Sequence, residues 1–106
     1  MNASVSYEQH LIQRLREDAT FAQIYLEEAM SNADTPDGKA VLLTVLRQLA
    51  EAQGGMTHLA ENSGIKREAL YRALSPKGNP TLTTLMAVLG ALGLRLSVTN
   101  SQTVSV

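Results

Sequence analysis

The sequence predicts a mainly α fold: a helix-turn-helix bundle with an N-terminal helical extension and a short C-terminal β-strand. Three observations predict it. The stretch from Met56 to Leu74, MTHLAENSGIKREALYRAL, reads as two short helices around a Ser63-Gly64 turn. Apolar residues recur at helical spacing in four further segments, and RLSVT near the C-terminus alternates apolar with polar, the period of a strand. A division follows, with residues 1–35 as the helical extension and residues 36–106 as the helix-turn-helix domain with its strand.

Taken in order, Ser6 and Gln9 have the form of a capping box, with Leu11, Ile12 and Leu15 as the stripe behind it, so a first helix is expected over residues 7–16. Asp18 reads as the N-cap of a second helix that buries Phe21, Ala22, Tyr25, Leu26 and Ala29 and stops near Asn32. Thr35, Pro36 and Asp37 supply a cap, a first-turn proline and a first-turn acid. The third helix they start runs to about Gln53, with Leu42, Leu43, Leu46, Leu49, Ala50 and Gln53 on one side. Gly54-Gly55 ends it; no strand precedes the pair and no GK[ST] follows, which argues against a phosphate loop.

Within the central motif, Thr57 is expected to cap the first helix, and Gly64 to supply a positive φ at the turn. Leu59, Ala60, Ile65, Leu70, Ala73 and Leu74 face inward. Lys66, Arg67, Glu68, Tyr71 and Arg72 are left facing out. Cations and a tyrosine on the outer face of a motif's second helix suit a major groove, where Arg or Lys pairs with guanine and hydroxyls and amines reach phosphate. Arg67, Glu68, Tyr71 and Arg72 are thus candidate readers of base edges, and Thr57, His58, Lys66, Lys77 and Asn79 candidate backbone contacts. Thr81 caps a last helix whose stripe, Leu82, Leu85, Met86, Leu89 and Leu92, is expected to be core, closed by Gly93 with Leu94 packed back on Leu89. The strand needs a neighbour. Either the tail TVSV folds back through Asn100-Ser101, or Leu94, Leu96 and Val98 pair with a second subunit, the arrangement preferred because a dimer would set two recognition helices about 34 Å apart on DNA.

Composition bounds the function. The chain has 106 residues, is 44% apolar, and has no cysteine, which removes disulfides and thiolate metal sites. A signal-peptide pattern is absent, as is any apolar run near the ~20 residues of a membrane span, so a cytoplasmic protein without membrane contact is expected. Net charge is −1, but residues 1–55 hold four Lys/Arg against eight Asp/Glu, and residues 56–106 five against two. An acidic front and a basic back suit a protein that offers one face to phosphate and another to a different partner. His10 and His58 form no metal-ligand spacing, no serine stands in G-x-S-x-G, and Glu27 and Glu28 diverge on a helix. Neither an enzyme nor a cofactor is expected.

The blocks FAQIYLEEA, LRQLAEAQGGMTHLAENSGI and REALYRALSPKGNPTLTTLMAVLGALGLRLSV, between Phe21 and Val98, resemble the probable addiction-module antidote proteins, a HigA-like branch of the lambda-repressor-like helix-turn-helix superfamily. The resemblance implies a cytoplasmic antitoxin that binds its own operator DNA as a homodimer, represses its toxin–antitoxin operon, and pairs with a small RelE-like toxin. Lys66 departs from the family's Ser or Thr at the start of the recognition helix, which removes a side-chain cap and adds a cation. A protein-interaction module, or a solitary transcriptional regulator without a toxin, is the alternative; its acidic N-terminal helices would then carry the function.

Overall fold

The fold is built around its third helix. The computed structural model describes residues 3–101, whose helices are α1 (Ala3–Glu17), α2 (Ala19–Ser31), α3 (Pro36–Ala52), α4 (Met56–Ser63), α5 (Arg67–Ala73) and α6 (Leu82–Ala91). Eight of the 17 residues of α3 are buried; of these, Leu42, Val45, Leu46, Leu49 and Ala52 form one stripe, and Leu43 and Ala50 widen it to about half of the helix circumference. Helices α1 and α2 pack on α3 from one side, and α4 packs on it from the motif's side while itself contacting α5 and α6. The core therefore runs continuously from Leu15 and Leu26 through Leu43 and Leu46 to Leu59, Leu70, Leu74 and Val88.

Local signals place several boundaries. The Asp18 carboxylate accepts a hydrogen bond from the Phe21 amide at 2.9 Å, which starts α2 one residue after α1 ends. At this corner the Arg14 guanidinium lies 3.9 Å from the Phe21 ring centroid, and the Phe21 and Tyr25 rings stack at 5.8 Å. The Thr35 hydroxyl caps α3 through Gly38 N, and the Thr81 hydroxyl caps α6 through Thr84 N. Helix α6 ends in a Schellman motif: Leu94 N donates to Leu89 O, Gly93 N donates to Gly90 O, and Gly93 has φ +80°.

Four expectations are corrected. Helix α1 already runs from Ala3, so Ser6 lies inside it and cannot be the non-helical cap of a box with Gln9. Gln53 is an exposed C-cap residue of α3, and its amide reaches Leu92 O at 3.3 Å. Leu82 and Met86 are 65% and 55% exposed, so only part of the α6 stripe is core: Leu85 half-buried, Val88, Leu89 and Leu92 buried. No strand is present among the described residues. A strand exists only through ladder hydrogen bonds to a neighbouring strand, and residues 94–99 are not assigned to one among the described residues. The alternative hairpin partner, TVSV, lies outside the described residues.

Candidate nucleic-acid interface

The motif presents its charged face because of where its apolar residues are held. Helix α4 opens at Gly55, with no side-chain cap, so Thr57 is the helix's second residue and not its cap. Gly55 has φ +95° and the chain enters the helix directly behind it, which leaves no non-helical position for the threonine. Leu59 is buried, while Thr57, His58, Glu61 and Asn62 are exposed. His58 rests beside Gly54 and exchanges a 2.8 Å hydrogen bond with Asn62 Nδ2. At Gly64 the backbone turns with φ +76°, a conformation that costs glycine little and other residues more; its amide donates to Ala60 O. The Ser63 hydroxyl then accepts from Ile65 N at 3.3 Å, and α5 begins.

Helix α5 is seven residues long and is anchored by Leu70 and Leu74, both fully buried. Removing each of those side chains from water is worth about 1.5–3 kcal/mol, far more than a short helix gains from its own propensities. With that side fixed, Lys66, Arg67, Glu68, Tyr71 and Arg72 are all exposed. The Arg67 guanidinium stands 5.4 Å from the Tyr71 ring centroid, a spacing that favours a flat cation beside an aromatic face. Lys66 is the N-cap of α5 and makes no side-chain cap bond, as its departure from Ser or Thr implies.

The loop after α5 is docked tightly. A Cβ at Gly78 would come within 2.1 Å of Ala73 O, so only glycine lets the loop approach the helix end this closely. Lys77 is exposed on this loop, and the Asn79 side-chain oxygen accepts from Lys39 Nζ at 3.2 Å. Lys39 therefore joins the candidate cations. Sequence reasoning missed it, since 40 residues of chain separate it from Asn79 and no local pattern pairs them. It also missed Arg47, whose guanidinium donates to Leu74 O at the end of α5 and to Thr44 Oγ1. That arginine ties the exposed-face helix to α3 and places a cation at the negative end of the helix dipole.

The acidic half has a separate polar network. Tyr25 OH donates to Gln48 Oε1 at 2.7 Å, and Gln48 Nε2 donates to Glu8. Burial raises the Tyr25 phenol above its ordinary 10.0, Tyr7 and Glu8 add to the rise, and the Gln48 hydrogen bond opposes it. Gln48 and Glu8 also line an open cleft of about 630 Å³ between α1 and α3. Of the residues expected at a strand-mediated dimer contact, Leu94 is half-buried against its own core, as its expected packing on Leu89 requires, while Leu96 is 39% and Val98 95% exposed. Among the described residues, no three His, Cys, Asp or Glu lie grouped as a metal site would need, and no helix is long and apolar enough to cross a membrane.

Residues 7–100 match the family described as probable addiction module antidote protein. The chain belongs to that family. The match covers the antidote-family chain from α1 onward, further toward the N-terminus than the resemblance that starts at Phe21. A Haemophilus influenzae relative described as an uncharacterized protein is 40% identical over 80 residues, 76% of this chain and 77% of the relative. No solved structure matches the chain. Membership gives the chain an antidote's role, and an antidote implies a toxin to act against.

Proposed function

We propose that this chain is the antitoxin and autorepressor of a toxin–antitoxin operon: a homodimeric, sequence-specific DNA-binding protein that also neutralises a RelE-like toxin in the cytoplasm. The observation that carries the DNA-binding part is the segregation of α5, with Leu70 and Leu74 fully buried on one side and Lys66, Arg67, Glu68, Tyr71 and Arg72 exposed on the other. Arg67, Glu68, Tyr71 and Arg72 read base edges and adjacent phosphates. Thr57, His58, Lys66, Lys77 and Asn79, joined by Lys39, hold the DNA backbone. The acidic α1–α3 half is left for the toxin, and the role is binding and not catalysis.

The test is a titration of the promoter region with the full chain at several salt concentrations. Operator affinity falls steeply with salt, as displacement of counterions requires. Arg67→Ala weakens the cognate complex by about 1–3 kcal/mol and relaxes its base preference. An Arg67→Ala protein that binds its operator like wild type removes the assignment of base readout, and the absence of any operator shift at any salt favours an interaction module that uses the motif only as a scaffold. Rescue of growth on co-expression with the product of an adjoining short reading frame tests the antitoxin part.

A further inference from the structure

Helix α6 carries an outer ridge that the other described residues leave uncovered. Leu82 and Met86 are mostly exposed and stand four residues apart; Gly90, four further on, completes the row. Rows at this spacing are the ridges by which two helices interlock. Gly90 is the telling member. It is exposed, lies inside the helix, has no positive φ, and a methyl group placed there would meet nothing else among the described residues within 4 Å. A glycine in a helix disfavours the helix, and nothing among the described residues requires this one.

We infer that the Leu82–Met86–Gly90 ridge is the contact by which two copies of this chain pair, antiparallel about a two-fold axis. The ridge is large at one end and empty at the other, so its own reverse is its complement. Leu82 of each copy sits over Gly90 of the other, about 12 Å along the helix, and the two Met86 side chains meet at the axis. The charge pattern agrees. Helix α6, LTTLMAVLGA, has no ionisable residue, so self-pairing sets no like charges opposite one another. An acidic or basic partner would find nothing on it to match.

The inference rests on the homodimer of the proposed function and relocates its contact from the C-terminal segment to α6. Because α6 follows α5 through the loop locked at Gly78, a two-fold contact here fixes the relative placement of two recognition helices. It also leaves Val98 outside the contact.

Sedimentation of the full chain, without DNA, reads the outcome independently of operator binding. Wild type is expected to sediment as a dimer. Gly90→Gln, which fills the empty end, and Met86→Glu, which sets two carboxylates at the axis, are expected to sediment as monomers with unchanged helical circular dichroism, and to lose the concentration dependence of melting that a dimer shows. Since the chain has no cysteine, Met86→Cys supplies a single thiol, which is expected to form a disulfide dimer under mild oxidation, while Val98→Cys stays mostly uncrosslinked. A monomeric wild type overturns the inference, as does a dimer that survives both substitutions or crosslinks only through position 98. Loss of toxin capture by the same variants of a monomeric wild type overturns it too, by giving the ridge to another protein. If the ridge fails but Arg67→Ala still loses operator affinity, the DNA-binding reading stands with a different dimer contact.

Discussion

Helices α2, α3 and α6 each begin with a side chain that accepts a hydrogen bond from the first turn, whereas α4 and α5, the two helices of the motif, begin with Gly55 and Lys66 and have no such bond. The uncapped pair is also short, eight and seven residues, below the roughly 12–15 at which an isolated helix becomes even marginal in water. The segment that displays the cations is thus the one least specified by its own sequence. It is held by tertiary anchors: Leu59, Leu70 and Leu74 in the core, Arg47 on the last carbonyl, and the loop pressed against Ala73 at Gly78. The capped helices carry their start signals with them.

The sharpest way to break this contrast is to remove an anchor. Leu70→Ala leaves a cavity beneath α5 and is expected to lower stability by about 2–5 kcal/mol in urea unfolding, with a loss of operator affinity larger than the loss of any single contact. Met86→Ala, on the exposed ridge, is expected to change monomer stability by less than about 0.5 kcal/mol. If Leu70→Ala costs no more than that, the motif is not held from below and the comparison fails.

The same contrast governs what the sequence makes legible. Asp18, Thr35, Thr81 and the Gly93 stop could be read because a cap is a relation among residues three or four apart. The outward set on α5 could be read because burial of Leu70 and Leu74 follows helical period. Other features depend on what stands next to an element in space. Apolar residues lie on more than one side of α6, so spacing alone could not tell that Leu85 and Leu89 turn inward while Leu82 and Met86 do not. Thr57 has the chemistry of a cap, but the Gly54-Gly55 turn starts the helix one residue before it. Alternation from Leu94 to Val98 satisfied the strand pattern, yet a strand is a property of a pair, and Leu94 is occupied with its own core. Lys39 and Arg47 reach the motif across the fold, through contacts with Asn79 and Leu74 that carry no local mark.

Cap removal sharpens the comparison at a smaller scale. Asp18→Ala deletes the acceptor for Phe21 N and is expected to lower stability by about 1 kcal/mol, within the usual range of 0.5–2 for a lost cap. Thr57→Ala, made in a residue that sequence alone would have named a cap, is expected to stay within about 0.5 kcal/mol of wild type. Thermal or urea unfolding of the two variants side by side checks the pair. Equal losses would mean that Thr57 caps α4 in solution.

The smallest effect is the most informative, because it pits stability against binding at one residue. Lys66 holds the N-cap position of α5 with extended-type angles, φ −60° and ψ 140°, so a serine there needs no backbone change to accept a hydrogen bond from the first turn. Lys66→Ser is expected to raise stability by about 0.5 kcal/mol, since a cap is gained and a cation leaves the positive end of the helix dipole. If Lys66 touches phosphate, the same substitution weakens operator binding evenly across sequences and lowers the salt slope by about one. Opposite signs in the two measurements would show that the chain gives up helix stability at this position for a phosphate contact. A more stable protein with an unchanged salt slope would place Lys66 in solvent, and the backbone contacts of α5 would then fall to Arg67 and Arg72.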